Sequence, residues 1–139
     1  MTARSDLYKK GEAVRRKLRG DADFEKNMKE YASDPHMQKF IDVATETVFG
    51  ALWARPTLDH KLRALICVIT DATMGRHAEL DIHLRFALKE GWTEDELVEV
   101  LLHMSGYIGV PLIREAIYCA KAVFADERAK KAKAKKKVG

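Results

Sequence analysis

Nowhere along this chain do β-branched residues alternate with polar ones in the manner of a strand, and the few glycines and prolines fall at intervals suited to helix ends. That pattern leaves an all-α fold. Amphipathic spacing and punctuation predict helices over about Asp6–Leu18, Asp23–Tyr31, His36–Trp53, Leu58–Met74, Arg76–Glu90, Glu94–Met104 and Pro111–Phe124. Three boundaries have a stated cause. Pro35 disfavours helix at the residue before it, Gly91 stops the fifth segment, and "TEDE" (93–96) is a capping box that starts the sixth. "LDHKLRALICVITDATM" (58–74) is apolar nearly all round in its second half, which marks it as a central helix covered on several sides. "SGYIGVP" (105–111), with two glycines and a proline, reads as an interruption.

The length of 139 residues suits one domain with a tail. Residues 1–127 form the expected domain and the Lys/Ala-rich residues 128–139 an expected disordered end. The formal net charge is +4, but "RAKKAKAKKKVG" (128–139) carries seven cations and no acid, so the remainder stands at −3. A nucleic-acid or other anionic partner could therefore be drawn only by the tail. No window approaches eighteen uninterrupted apolar residues and "MTARSDLYKKGEAVRRKLRG" lacks a secretory apolar stretch, so a cytoplasmic protein without a membrane span is expected. Cys67 and Cys119 each sit in an apolar segment and read as buried thiols.

"GRHAELDIHLRFALKEGW" (75–92) puts a glutamate and two histidines on one short helix. Glu79 and His83 stand four residues apart on one helix face, Arg76 lies near that face, and Leu80, Leu84, Ala87 and Leu88 form the adjoining apolar stripe. His77 points nearly opposite His83, so a metal site with three ligands is not formed here. From spacing alone, an ordinary Glu–His pair on a half-exposed helix stands level with a catalytic one.

The run from Trp53 to Ile117 contains, in order, W-x-R-P-x-L, the arginine of "LRALI", G-R-x-x-E-L-x-x-H-L-R-x-A-L, the capping box and Y-x-G-V-P, and "GEAVRRKLRGDADFEK" (11–26) fits the same pattern. Together these pieces resemble the carboxymuconolactone decarboxylase family. The resemblance implies an all-α bundle of six or seven helices assembled as a homo-oligomer, commonly a trimer of dimers. It implies decarboxylation of 4-carboxymuconolactone or a related carboxylated lactone in the β-ketoadipate pathway of aromatic catabolism, with no cofactor and no metal. His83 is then the proton donor, oriented by Glu79, or protonated Glu79 is itself the acid. Arg55 and Arg76 bind substrate carboxylates, and His103 and Tyr107 are further donors to the substrate. The related alkylhydroperoxidases carry a redox cysteine pair at positions that here hold Arg76 and Glu79, so their thiol route is closed. Two alternatives stay open at this point: redox chemistry at Cys67 or Cys119, and a non-catalytic protein that binds anionic partners through its basic tail. Two departures from the family pattern, Trp92 and the polar "LLHMSG" before Tyr107, bear on which lactone fits.

Overall fold

The computed structural model describes residues 3–139, and these are helical almost throughout, with no strand among them. They cluster in two compact units, one ending at Asp59 and one running from His60 to Gly139, where the sequence reads as a single domain.

The first unit contains α1 (Asp6–Arg19), α2 (Asp21–Ala32), α3 (Pro35–Ala44) and a π-helical segment, Thr45–Trp53. Ser5 caps α1 by accepting the Tyr8 N–H at 3.0 Å. Gly20, at φ 83°, turns the chain directly into α2, and Asp34 caps α3 through the His36 and Met37 amides. Sequence periodicity runs α3 and the π-helical segment together. The wider i to i+5 turn instead sets Thr45 and Gly50 on one buried face against α1. The two backbones touch there. A Cβ on Gly11 would stand 1.9 Å from the Thr45 carbonyl oxygen, and one on Gly50 would stand 2.1 Å from that of Leu7. Beside this contact Arg15 is 2% exposed and donates to Asn27, Thr45 and Met28.

The second unit is built from α4 (His60–Met74), α5 (His77–Lys89), α6 (Glu94–Ile108) and α7 (Val110–Val138). Its core is a set of helical stripes: Ala64, Val68 and Ala72 on α4, Leu80, Leu84 and Ala87 on α5, Leu97 and Leu101 on α6, Ala116, Ala120 and Val123 on α7. Each buried leucine is worth about 1.5–3 kcal/mol by transfer from water. The expectation that α4 is covered on several sides needs correction within one chain, because Ile66, Ile69 and Met74 on its other face are exposed. Trp92 fastens the α5–α6 link to the start of α4: its indole N–H donates to the Lys61 carbonyl at 2.8 Å, and the Lys61 ammonium lies 4.6 Å from the ring centre.

Two further boundaries differ from the sequence reading. α6 continues through Gly106 to Ile108, and the interruption shrinks to Gly109 at φ 99°, after which Pro111 fits the first turn of α7. α7 also runs on through residues 128–138, where charge composition led to the expectation of a disordered end. Alanine and lysine are both good helix formers, and no breaker separates them from the packed part of α7.

Candidate active site

Asp71 lies in the last turns of α4, the one charged residue in the run "CVITDATM". It is 6% exposed, and a carboxylate so shielded needs donors. Its carboxylate meets His83 Nδ1 at 2.5 Å, while its backbone carbonyl separately accepts the Arg76 N–H at 2.9 Å and closes the turn in which Gly75 takes φ 68°. The His83 side chain is itself only 16% exposed, and its ring stands edge-on to Phe86 at 5.7 Å. The imidazole is thus held by a carboxylate at one nitrogen and packed by an aromatic ring. Among the described residues its Nε2 has no hydrogen-bond partner.

The carboxylate that orients His83 is therefore Asp71 rather than Glu79, which corrects the sequence expectation. Glu79 and His83 do share a face of α5, but Glu79 is exposed and makes no ion pair among the described residues. Its charge is felt at Cys67, one turn before Asp71. Burial, reinforced by the negative Asp71 and Glu79, pushes the Cys67 thiol up to about 11. Burial also raises the Cys119 thiol, which donates to the His77 carbonyl at 3.6 Å. Both thiols stay protonated near neutrality, against the redox alternative, which requires an accessible thiolate.

The other residues singled out by sequence are exposed. Arg76 occupies the N-cap position of α5 with an exposed side chain. His103 and Tyr107 pair with each other on α6, ring centres 5.4 Å apart, and both are exposed. Arg55 is exposed in the connection after the π-helical segment of the first unit. Arg85 ties α5 to α7 by donating to Asp81, Asp126 and Glu127. A separate groove of about 460 Å³ lies between α6 and α7, floored by Leu102, Ile113 and Ile117. Among the described residues no three His, Cys, Asp or Glu side chains are grouped to hold a metal ion, and no helix is long and apolar enough to cross a membrane.

Residues 38–122 match the model of the carboxymuconolactone decarboxylase family. The chain is 33% identical over 119 residues to the 4-carboxymuconolactone decarboxylase of Acinetobacter baylyi, covering 86% of this chain and 87% of that protein. The chain belongs to the carboxymuconolactone decarboxylase family. A second family relative, the nitrosuccinic acid decarboxylase of Metarhizium robertsii, is 30% identical over 120 residues, 86% of this chain and 82% of its own length. The family match runs from α3 into α7 and contains Asp71, Glu79, His83, His103 and Tyr107, while residues 128–139 lie beyond it.

Proposed function

We propose that the protein is a cofactor-independent decarboxylase of 4-carboxymuconolactone or a closely related carboxylated acid, with His83 as proton donor. The observation that carries this reading is the His83–Asp71 contact, which fixes one nitrogen of a shielded imidazole and leaves the other to act.

The two named relatives point to substrates with a shared core. In 4-carboxymuconolactone and in nitrosuccinic acid alike, one carbon bears both a carboxylate and a carboxymethyl arm, and that carbon adjoins an electron acceptor. The acceptor is the unsaturated lactone in one and the nitro group in the other. When the bond to the departing carboxylate breaks, its electron pair passes into the acceptor and CO2 leaves. In the lactone the charge travels through the ring double bond to the carbonyl oxygen. A proton then arrives at the carbon beside that carbonyl and gives the enol-lactone. The substrate is its own electron sink, so the protein has to hold a dianion and deliver one proton.

His83 Nε2 suits delivery, because an imidazole nitrogen engaged by no other described residue can hand a proton to a bound substrate. Asp71 keeps Nδ1 engaged throughout, so the proton exchanged is the one on Nε2. Arg76, at the mouth of the α4–α5 turn, offers a planar guanidinium to the carboxylate that is retained. The uncovered Ile66, Ile69 and Met74 on α4 support assembly with further copies of the chain, and light scattering at micromolar concentration would return a single-chain mass if that were wrong.

The test is loss of 4-carboxymuconolactone by ultraviolet absorbance together with CO2 release, without added metal or thiol, with nitrosuccinate run in parallel. His83→Gln is expected to lower turnover by roughly two to four powers of ten. Unchanged turnover in that variant would remove His83 from the mechanism. Folded wild-type protein inert toward both acids would overturn the reading.

A further inference from the structure

The last acidic residue in the sequence is Glu127, yet α7 continues to Val138. Near that point its cations are neutralised: Lys130 bonds Asp126 and Glu127, and Arg128 lies 3.5 Å from Glu94. Beyond it they are not. Lys131, Lys133, Lys135, Lys136 and Lys137 are all exposed and form no ion pair with any described residue.

These five charges occupy six residue steps of helix. At about 1.5 Å rise per residue they span about 9 Å, or about one charge per 1.8 Å of axis. Duplex DNA carries about one negative charge per 1.7 Å. The two linear charge densities match. At about 100° per residue the five lysines point to all sides of the helix, interleaved with Ala132 and Ala134, and no apolar stripe forms. A helix that lies in a lipid surface needs such a stripe to bury, so this one fits a polyanion better than a membrane. The pairs Lys131/Lys135 and Lys133/Lys137 repel each other at i, i+4, a penalty that phosphates laid along the helix would relieve. With the rest of the chain at −3, attraction is confined to this segment.

We propose that residues 128–138 of α7 are an interaction surface for the phosphate backbone of duplex nucleic acid, contacted without regard to base sequence. The proposal is independent of the decarboxylation reading.

Fluorescence anisotropy of a labelled mixed-sequence duplex of about two helical turns, titrated with the full chain, tests it. Five phosphate contacts give a slope of log affinity against log salt of about −4.5, so affinity falls roughly 500-fold between 50 and 200 mM KCl. Replacing Lys131, Lys133, Lys135, Lys136 and Lys137 each by Gln, a comparably good helix former, is expected to abolish the salt-dependent binding while circular dichroism shows the helix retained. Wild-type affinity in that variant, a slope shallower than −2, or a tenfold preference among unrelated duplexes would overturn the proposal. So would tighter binding to phosphatidylcholine–phosphatidylserine vesicles than to duplex at equal salt, which would assign the surface to anionic lipid.

Discussion

Asp71 and His83 face each other at 2.5 Å across the turn from α4 to α5, twelve residues apart in sequence and both largely shielded from water. A carboxylate in that position accepts a hydrogen bond from Nδ1–H and so fixes which imidazole nitrogen stays unengaged. Asn at position 71 keeps the shape and an acceptor oxygen but loses the charge. Hydrogen bonds to charged groups are worth about 1.5–3 kcal/mol, so Asp71→Asn should lower kcat by a factor of roughly 10 to 150, with KM little changed. Nitrogen NMR of the His83 ring separates this from a loss of fold: the native tautomer retained at full turnover would show that Asp71 has only a structural part.

The helical half of this site was legible and its partner was not. Glu79 and His83 announce themselves by their i, i+4 spacing on one helix, as do the Thr93–Glu96 capping box and the apolar stripe around Leu80 and Leu84. Asp71 belongs to a different helix, so no periodicity within α5 could reveal it. The available signal was a lone acid in the run "CVITDATM", since a charge buried on a core helix must find a donor. The π-helical segment was hidden for a related reason: the widened turn at Thr45 answers to the glycine contact with α1, a tertiary demand. The exposed face of α4 shows the opposite limit, because all-round apolarity does not by itself cover a helix, and Ile66, Ile69 and Met74 stand open.

The capping box gives a prediction independent of catalysis. Thr93 Oγ1 accepts the Glu96 amide at 3.1 Å while Glu96 accepts the Thr93 amide at 3.0 Å. Thr93→Ala should cost about 1 kcal/mol in urea unfolding. Hydrogen bonding to the Thr93 backbone holds the Glu96 carboxyl below its ordinary range. Its contribution is therefore present above about pH 4.5 and is lost as pH falls through the lowered value, so the wild-type advantage should shrink in acid. A stability difference that grows with acidification would contradict the cap assignment.

Two glycines should respond in opposite directions to the same substitution. Gly11→Ala drives a methyl group into the Thr45 carbonyl, backbone against backbone, and should cost about 3 kcal/mol or more, as severe overpacking does. Gly106, inside α6, has nothing within 4 Å of the place a Cβ would occupy, and Gly106→Ala should stabilise by about 0.4–1 kcal/mol by restricting the unfolded chain. Thermal unfolding of the two variants reads both signs, and a neutral Gly11→Ala would refute the close approach of α1 to the π-helical segment.

Cys67 carries the prediction about alkaline pH. Burial, with Asp71 and Glu79 adding to it, pushes its thiol from an ordinary 9.0 up to about 11. The unfolded chain thus releases this proton first, and between about pH 9 and pH 11 the folded state binds more protons than the unfolded one. Stability contributed by the neutral thiol is complete below about pH 9 and is lost as pH rises through that window. Urea midpoints should fall across it in the wild type, and Cys67→Ala should remove this component of the slope while leaving decarboxylation in place. Iodoacetamide should label the folded protein slowly at pH 7.5, because little thiolate is present to attack. Rapid labelling of Cys67, or turnover lost with the thiol, would return the redox reading to this site and displace His83 from its centre.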